Sequence, residues 1–102
     1  MQNIKGPIPP ACWIDGVELN RQYPDTFSLP SARLRSNAAV GDLIKIGIES
    51  DERGGERFWV EIIARIDDGR YIGRVDNDLE EGWGITYNDY VMFEPKHVLA
   101  TR

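Results

Sequence analysis

The chain has 102 residues but only one cysteine, Cys12, and one histidine, His97. A lone thiol rules out an internal disulfide and fits a reducing compartment. A zinc site needs three or four Cys, His or carboxylate ligands at characteristic spacing, and Cys12 and His97 offer nothing of that kind. No run approaches the roughly 18 apolar residues of a membrane-spanning helix. The first ten residues, Met1 to Pro10, lack the apolar stretch of a signal peptide. The expectation is a cytoplasmic protein with no membrane partner. Catalytic signatures are missing too: there is no Gly-x-Ser-x-Gly, His-Glu-x-x-His or Cys-x-x-Cys. Gly54-Gly55 and Gly82-Trp83-Gly84 lack the lysine and following helix of a phosphate loop. No enzyme activity, metal or cofactor is expected.

Positive charge is also short. Twelve basic residues stand against seventeen acidic ones, for a formal net charge of −5. Residues 1–40 carry four basic and three acidic side chains, and residues 41–102 carry eight and fourteen. An acidic body repels phosphate backbones, so nucleic acid is an unfavoured partner unless a local basic patch overrides the mean.

What is present is turn chemistry and alternation. Residues 1–11 hold three prolines and a glycine, which exclude a helix and predict an extended or flexible segment. Residues 12–102 are expected to form a single globular domain. Residues 12–19 read as a strand, or as a hairpin about Asp15-Gly16. Tyr23-Pro24 and Leu29-Pro30 mark an irregular connector. Ser31 reads as the N-cap of a short helix over Ala32–Asn37.

From Val40 onward strands dominate. Leu43–Glu49 is predicted as a strand, followed by a polar hairpin loop over Asp51–Gly55. Glu56–Ile66 is predicted as a long strand with Phe58, Val60, Ile62, Ala64 and Ile66 on one face. Trp59, Glu61, Ile63 and Arg65 fall on the other. Arg70–Val75 returns after the Asp67-Asp68-Gly69 turn, and a long polar loop runs from Asp76 to Asn88. Tyr90–Phe93 is the last clear strand, and Pro95 opens a helical turn. Val40-Gly41-Asp42-Leu43-Ile44 echoes Tyr87-Asn88-Asp89-Tyr90-Val91, which predicts one turn chemistry used twice. The fold class expected is mostly β (α+β): a small curled antiparallel sheet or SH3-like barrel of four to six strands with one or two short helices.

Several ordered segments carry a family resemblance. They are Phe27-Ser28-Leu29-Pro30-Ser31, Gly41 to Ile46, Gly55 to Glu61, Gly73 to Asp78, and Asp89 to Val98. In order and spacing they resemble the YegJ-like family of uncharacterised bacterial proteins (domain of unknown function 2314). The resemblance runs from about Tyr23 onward. Residues Glu80 to Tyr87 depart from the family's pattern, and the first 20 residues lie outside it. It implies a compact bacterial α+β or mostly β domain, and no catalytic residues.

The candidate binding residues are Arg57, Trp59, Arg74, Asp76, Asn77, Asp78 and Trp83. Trp59 alternates with Arg57 and Glu61, which is how a sheet presents an aromatic contact between charges. A cover from the N-terminal residues, with Tyr23 or Phe27, would instead bury it. Asp76-Asn77-Asp78 offers oxygen ligands, but a calcium loop needs glycine and glutamate where Glu81 and Tyr87 stand. Trp83, between two glycines, is either a loop contact or an anchor into the core. His97 reads as structural, and Cys12 as a small hydrophobe beside Trp13.

These features favour a non-catalytic module binding a protein or peptide, a class that includes immunity-type proteins neutralising a basic toxin by charge complementarity. One alternative is a nucleic-acid-binding small barrel with Arg57, Arg65, Arg70 and Arg74 in a stripe beside Trp59. Another is a small-ligand protein or enzyme using the Asp76–Asp78 loop with His97.

Overall fold

A computed structural model describes residues 3–102. Met1 and Gln2, the start of the expected N-terminal segment, lie outside the described residues. Seven strands form one sheet: β1 (Ile4–Lys5), β2 (Cys12–Trp13), β3 (Leu43–Ser50), β4 (Gly54–Arg65), β5 (Tyr71–Val75), β6 (Tyr90–Phe93) and β7 (Ala100–Thr101). Their order is β1-β6-β5-β4-β3-β2, with β7 pairing β3 beside β2. Pairing is antiparallel except between β1 and β6, which run parallel. Two short helices, α1 (Gly16–Gln22) and α2 (Ala32–Ser36), and a 3-10 turn over Pro95–His97 complete the fold.

The mostly β, α+β class holds, with two corrections. The sheet has seven strands because two-residue strands at both ends of the chain add to the predicted ones. It is mixed and open, not an SH3-like barrel. β1 and β2 stand at the two ends of this order and do not pair, and one side chain links the two sides: the indole N–H of Trp13 donates to the Met92 carbonyl on β6 at 3.1 Å. That bond gives the edge of β6 a partner beyond the reach of β1.

The hairpin expected at Asp15-Gly16 is the start of α1. The Asp15 carboxylate accepts the Glu18 N–H at 3.0 Å as an N-cap. Aspartate favours turns and N-caps for the same reason, a side chain that accepts nearby backbone N–H groups, and local sequence does not separate the two. Burial of Gly16 between Leu29 and Leu99 favours the helix here. Ser31 caps α2 as expected, accepting from the Leu34 N–H.

The repeated turn is also as expected. Gly41 and Asn88 both have positive φ, at 95° and 72°. The Asp42 carboxylate accepts the Ala39 N–H at 2.8 Å, and that of Asp89 accepts the Thr86 N–H at 2.9 Å. Each turn then hands the chain to a strand, β3 or β6, that pairs with one strand of the β4–β5 hairpin.

The inner face of the sheet is apolar. Ile44, Ile46 and Ile48 of β3, Phe58, Val60 and Ile62 of β4, Tyr71 and Val75 of β5, and Val91 and Phe93 of β6 are all buried. Pairs such as Ile44 with Val60, Ile46 with Phe58 and Tyr71 with Phe93 stack across strands. Ala38, Val98, Trp83 and Ile85 close the core from outside the sheet. The Tyr71 hydroxyl donates to the Arg35 carbonyl and accepts the Ala38 N–H, tying the α2 segment to the core.

Alternation along β4 does not run to Ile66. A bulge between Ile62 and Ala64 shifts the register, so that Ala64 pairs with Ile72 and Arg65 with the inward-facing Tyr71. One extra residue reverses which face each later side chain occupies. Ala64 therefore leaves the Phe58 face, and Arg65 leaves the Trp59 face.

A second, smaller apolar contact forms on the outer face of β3. Ile14 and Leu99, both buried, pack over Gly47; a Cβ there would lie 2.6 Å from Ile14 Cδ1 and 3.2 Å from Leu99 Cδ1. This contact seats α1 and the 3-10 turn against one part of the outer face and leaves the rest of that face uncovered by helix.

Candidate functional site on the outer face of the sheet

Between its core positions β4 turns Arg57, Trp59 and Glu61 to the outer face. Strand register supplies their neighbours: Lys45 opposite Trp59, Gly47 opposite Arg57, and Arg74 opposite Glu61. The Asp76 N–H donates to the Trp59 carbonyl at 2.9 Å, and the Asn77 side-chain oxygen accepts the Trp59 N–H. Lys45, Trp59 and Asp76 thus form one row across three neighbouring chain segments.

Three cations on this face lie over aromatic rings. The ammonium of Lys45 is 4.8 Å from the Trp59 ring centroid. The guanidinium of Arg57 is 5.4 Å from Phe27, and that of Arg74 is 5.8 Å from Tyr87. Such contacts hold long side chains in place, at about 0.5–1 kcal/mol each where exposed. Trp59 is half-buried, so Phe27 reaches Arg57 but the N-terminal residues do not seal the tryptophan from solvent. Tyr23 is 55% exposed.

The cations differ in their ionic partners. Arg74 lies between two carboxylates, 3.0 Å from Glu61 and 3.3 Å from Asp76, and also donates to Asn88. The hydrogen bond to Glu61, then the charge of Asp76, raises its already high pKa. Among the described residues no carboxylate lies within 4.0 Å of the Lys45 or Arg57 cation. Asp76, Asn77, Asp78 and Tyr87 line an open depression of about 320 Å³ beside this row. Across Trp59 the face carries Lys45 on the β3 side and Asp76 and Asp78, with Arg74, on the other, while Arg57 and Glu61 flank the ring along β4 itself.

Six of the seven candidate residues come together here: Arg57, Trp59, Arg74, Asp76, Asn77 and Asp78. Trp83 does not. It is 2% exposed, its indole N–H donates to the Glu56 carboxylate at 2.9 Å, and Arg53 lies over its ring at 4.3 Å. The Glu56 carboxylate also accepts the Glu80 N–H. Gly82 and Gly84 have positive φ, at 104° and 85°, and a Cβ on Gly82 would overlap the Arg53 guanidinium. The Gly-Trp-Gly motif folds the loop so that its tryptophan enters the core; it displays no contact surface. Lys45 and Tyr87 belong to the surface and are not among the candidates. Alternation in β3 marks Lys45, since it falls between Ile44 and Ile46. Nothing local marks Tyr87.

The four arginines proposed as a stripe are dispersed. The bulge carries Arg65 to the Tyr71 side, where it donates to the Ser36 carbonyl. Arg70 pairs with Asp68 at 2.7 Å, and Arg74 is held by its two carboxylates.

His97 is buried, and its Nδ1 accepts the Glu94 N–H at 3.0 Å within a capping box. Burial lowers its pKa, so the ring serves the cap as a neutral acceptor. It does not line the depression formed by Asp76 and Asp78. Cys12 is exposed, not packed as a small hydrophobe; β2 pairs it with Glu49. Among the described residues no three Cys, His, Asp or Glu side chains are grouped to hold a metal ion, and no helix is long and apolar enough to cross a membrane.

Comparison with protein-family models, with curated proteins and with solved structures finds no match to this chain.

Proposed function

We propose that this chain is a non-catalytic module that binds a protein or peptide across the outer face of its sheet, with Trp59 as the apolar anchor. One observation carries the reading: a partly exposed tryptophan on a central strand, held between Lys45 and Asp76 and flanked by Arg57 and Glu61. Tryptophan, tyrosine and arginine dominate the binding energy of protein interfaces, and cross-strand pairing fixes their geometry before a partner arrives. Membership of the YegJ-like family is part of the proposal. It rests on the ordered segments quoted above and adds no activity.

Dispersal of the arginines weighs against a nucleic-acid role, since a phosphate backbone needs aligned free cations. Use of His97 in a cap weighs against a general base there.

The test is an arrayed peptide library probed with the wild-type chain and with Trp59→Ala, both shown to be folded by near-ultraviolet circular dichroism. Peptides bound by the wild type should lose about tenfold or more in affinity in the variant, the loss of a hot-spot side chain. An unchanged binding profile removes Trp59 as the anchor. Binding confined to single-stranded oligonucleotides overturns the reading.

A further inference from the structure

The open part of the outer face is narrow. Ile14 and Leu99 wall it over Gly47, and opposite Gly47 the Arg57 side chain is held by Phe27. What remains beside that wall is the row of Lys45, Trp59 and Asp76, which crosses three chain segments. Neighbouring segments of a sheet lie about 4.8 Å apart, so the ends of the row are about 10 Å apart. A strip this narrow admits one extended chain and not a second sheet. Its two ends differ in charge. Among the described residues no carboxylate lies within 4.0 Å of the Lys45 ammonium, and no cation lies within that distance of the Asp78 carboxylate. Asp76 is paired with Arg74, so Asp78 is the carboxylate left over in the depression, where Tyr87, 48% exposed, adds an aromatic wall.

We infer that the occupant of this row is an extended peptide segment of mixed charge, with an acidic residue at Lys45, an apolar residue on Trp59 and a basic residue at Asp78 and Tyr87. The inference rests on the binding role proposed for the outer face and names the chemistry of its occupant. Alternate residues of an extended peptide share one face, so acidic, apolar and basic residues at i, i+2 and i+4 all meet the row. They span about 13 Å, and flexible side chains at both ends close onto a row of about 10 Å. Charge complementarity selects this occupant over simpler ones. A segment acidic throughout meets Asp78 and a chain of net charge −5, and a segment basic throughout meets Lys45. The mixed segment gives both unpaired charges a partner and leaves the ring of Trp59 for its apolar residue.

Chemical-shift titration of the full chain at low salt tests this, with the Trp59 indole signal as the readout. The probes are three peptides with blocked termini: Glu-Ser-Leu-Ser-Lys, its diacidic counterpart Glu-Ser-Leu-Ser-Glu and its dibasic counterpart Lys-Ser-Leu-Ser-Lys. The wild type should bind the mixed peptide about tenfold more tightly than either counterpart, because each counterpart sets a like charge against one end of the row. Lys45→Glu should move the preference to the dibasic peptide, and Asp78→Lys should move it to the diacidic one. Both are surface changes, and the amide spectrum reports that each variant keeps its fold. These preferences are the same whichever way the peptide runs. Equal affinity for the three peptides, with the Trp59 signal shifting, overturns the inference and upholds the binding role. A preference that either folded variant leaves unchanged does the same. Absence of Trp59-dependent binding to any peptide, here and in the arrayed library, overturns the binding role and the inference with it.

Discussion

Trp83 and Trp59 stand on opposite sides of one sheet and do different work. Trp83 fills the inner face from a loop, with its indole N–H satisfied by Glu56 and its ring capped by Arg53. Trp59 lies on a strand, yet remains partly exposed between charged neighbours. The inner face is closed, and among the described residues no buried side-chain polar atom lacks a partner. Cations stacked on rings hold the outer face, where two of them lack a carboxylate. A tryptophan's role follows from which face its surroundings close, not from whether it lies on a strand or a loop.

Substitutions on the two sides should separate stability from binding. The largest effect is expected for Trp83→Ala. Deleting a buried tryptophan costs about 3–5 kcal/mol, a large share of the 5–15 kcal/mol that holds a typical domain together. Urea denaturation should show the midpoint falling sharply; a fall under about 1 kcal/mol would mean that the loop does not plug the core.

Next comes Gly47→Ala, which probes the small apolar contact under α1. The new methyl would crowd Ile14 and Leu99, an overpacking cost of about 1–3 kcal/mol. A neutral result in the same denaturation experiment would show that Ile14 swings aside freely.

Trp59→Ala should cost about 2 kcal/mol in stability, less than Trp83→Ala because part of the residue is still exposed, while removing the affinity of the outer face. If this variant instead unfolds like Trp83→Ala, the two faces do not differ in kind and Trp59 belongs to the core.

The smallest expected effect is on pH dependence. Burial holds the pKa of His97 below its ordinary value of 6.5. The unfolded chain therefore binds a proton at that residue more readily than the folded one. The contribution is fully present above about pH 6.5 and is lost as pH falls from there toward the folded-state pKa. His97→Asn keeps an acceptor for the Glu94 N–H and should flatten melting temperature against pH between about 5 and 7. An unchanged slope would assign that dependence to other groups.

The strand layout after Val40 was largely legible, because β3, β4 and β5 alternate and their turns carry Gly or Asp where the chain must reverse. Six of seven candidate surface residues follow from that alternation and from the acidic end of β5. Trp83 was not resolvable, since Gly-Trp-Gly permits both display and insertion; the Glu56 carboxylate and the Arg53 guanidinium, distant in sequence, select insertion. The Asp15 cap is not separable from an Asp-Gly turn in the local sequence, because both use the same side-chain chemistry. Alternation puts Arg65 on the wrong face, because a bulge leaves no mark in hydrophobic periodicity when the residues around it, Ile62-Ile63-Ala64, are all apolar.

Sequence alone determined the period of the strands, the twin turns at Gly41-Asp42 and Asn88-Asp89, the cap of α2 and the faces of β4 up to Ile62. These are local matters: side-chain alternation, φ preference and hydrogen bonds spanning three or four residues. Tertiary structure alone decided that the sheet stays open with Trp13 spanning its edges, that Arg65 crosses to the core side, that Trp83 is sealed while Trp59 is not, and that Lys45 and Asp76 flank the same ring. Each depends on which distant segments meet, and local preferences carry no information about such meetings.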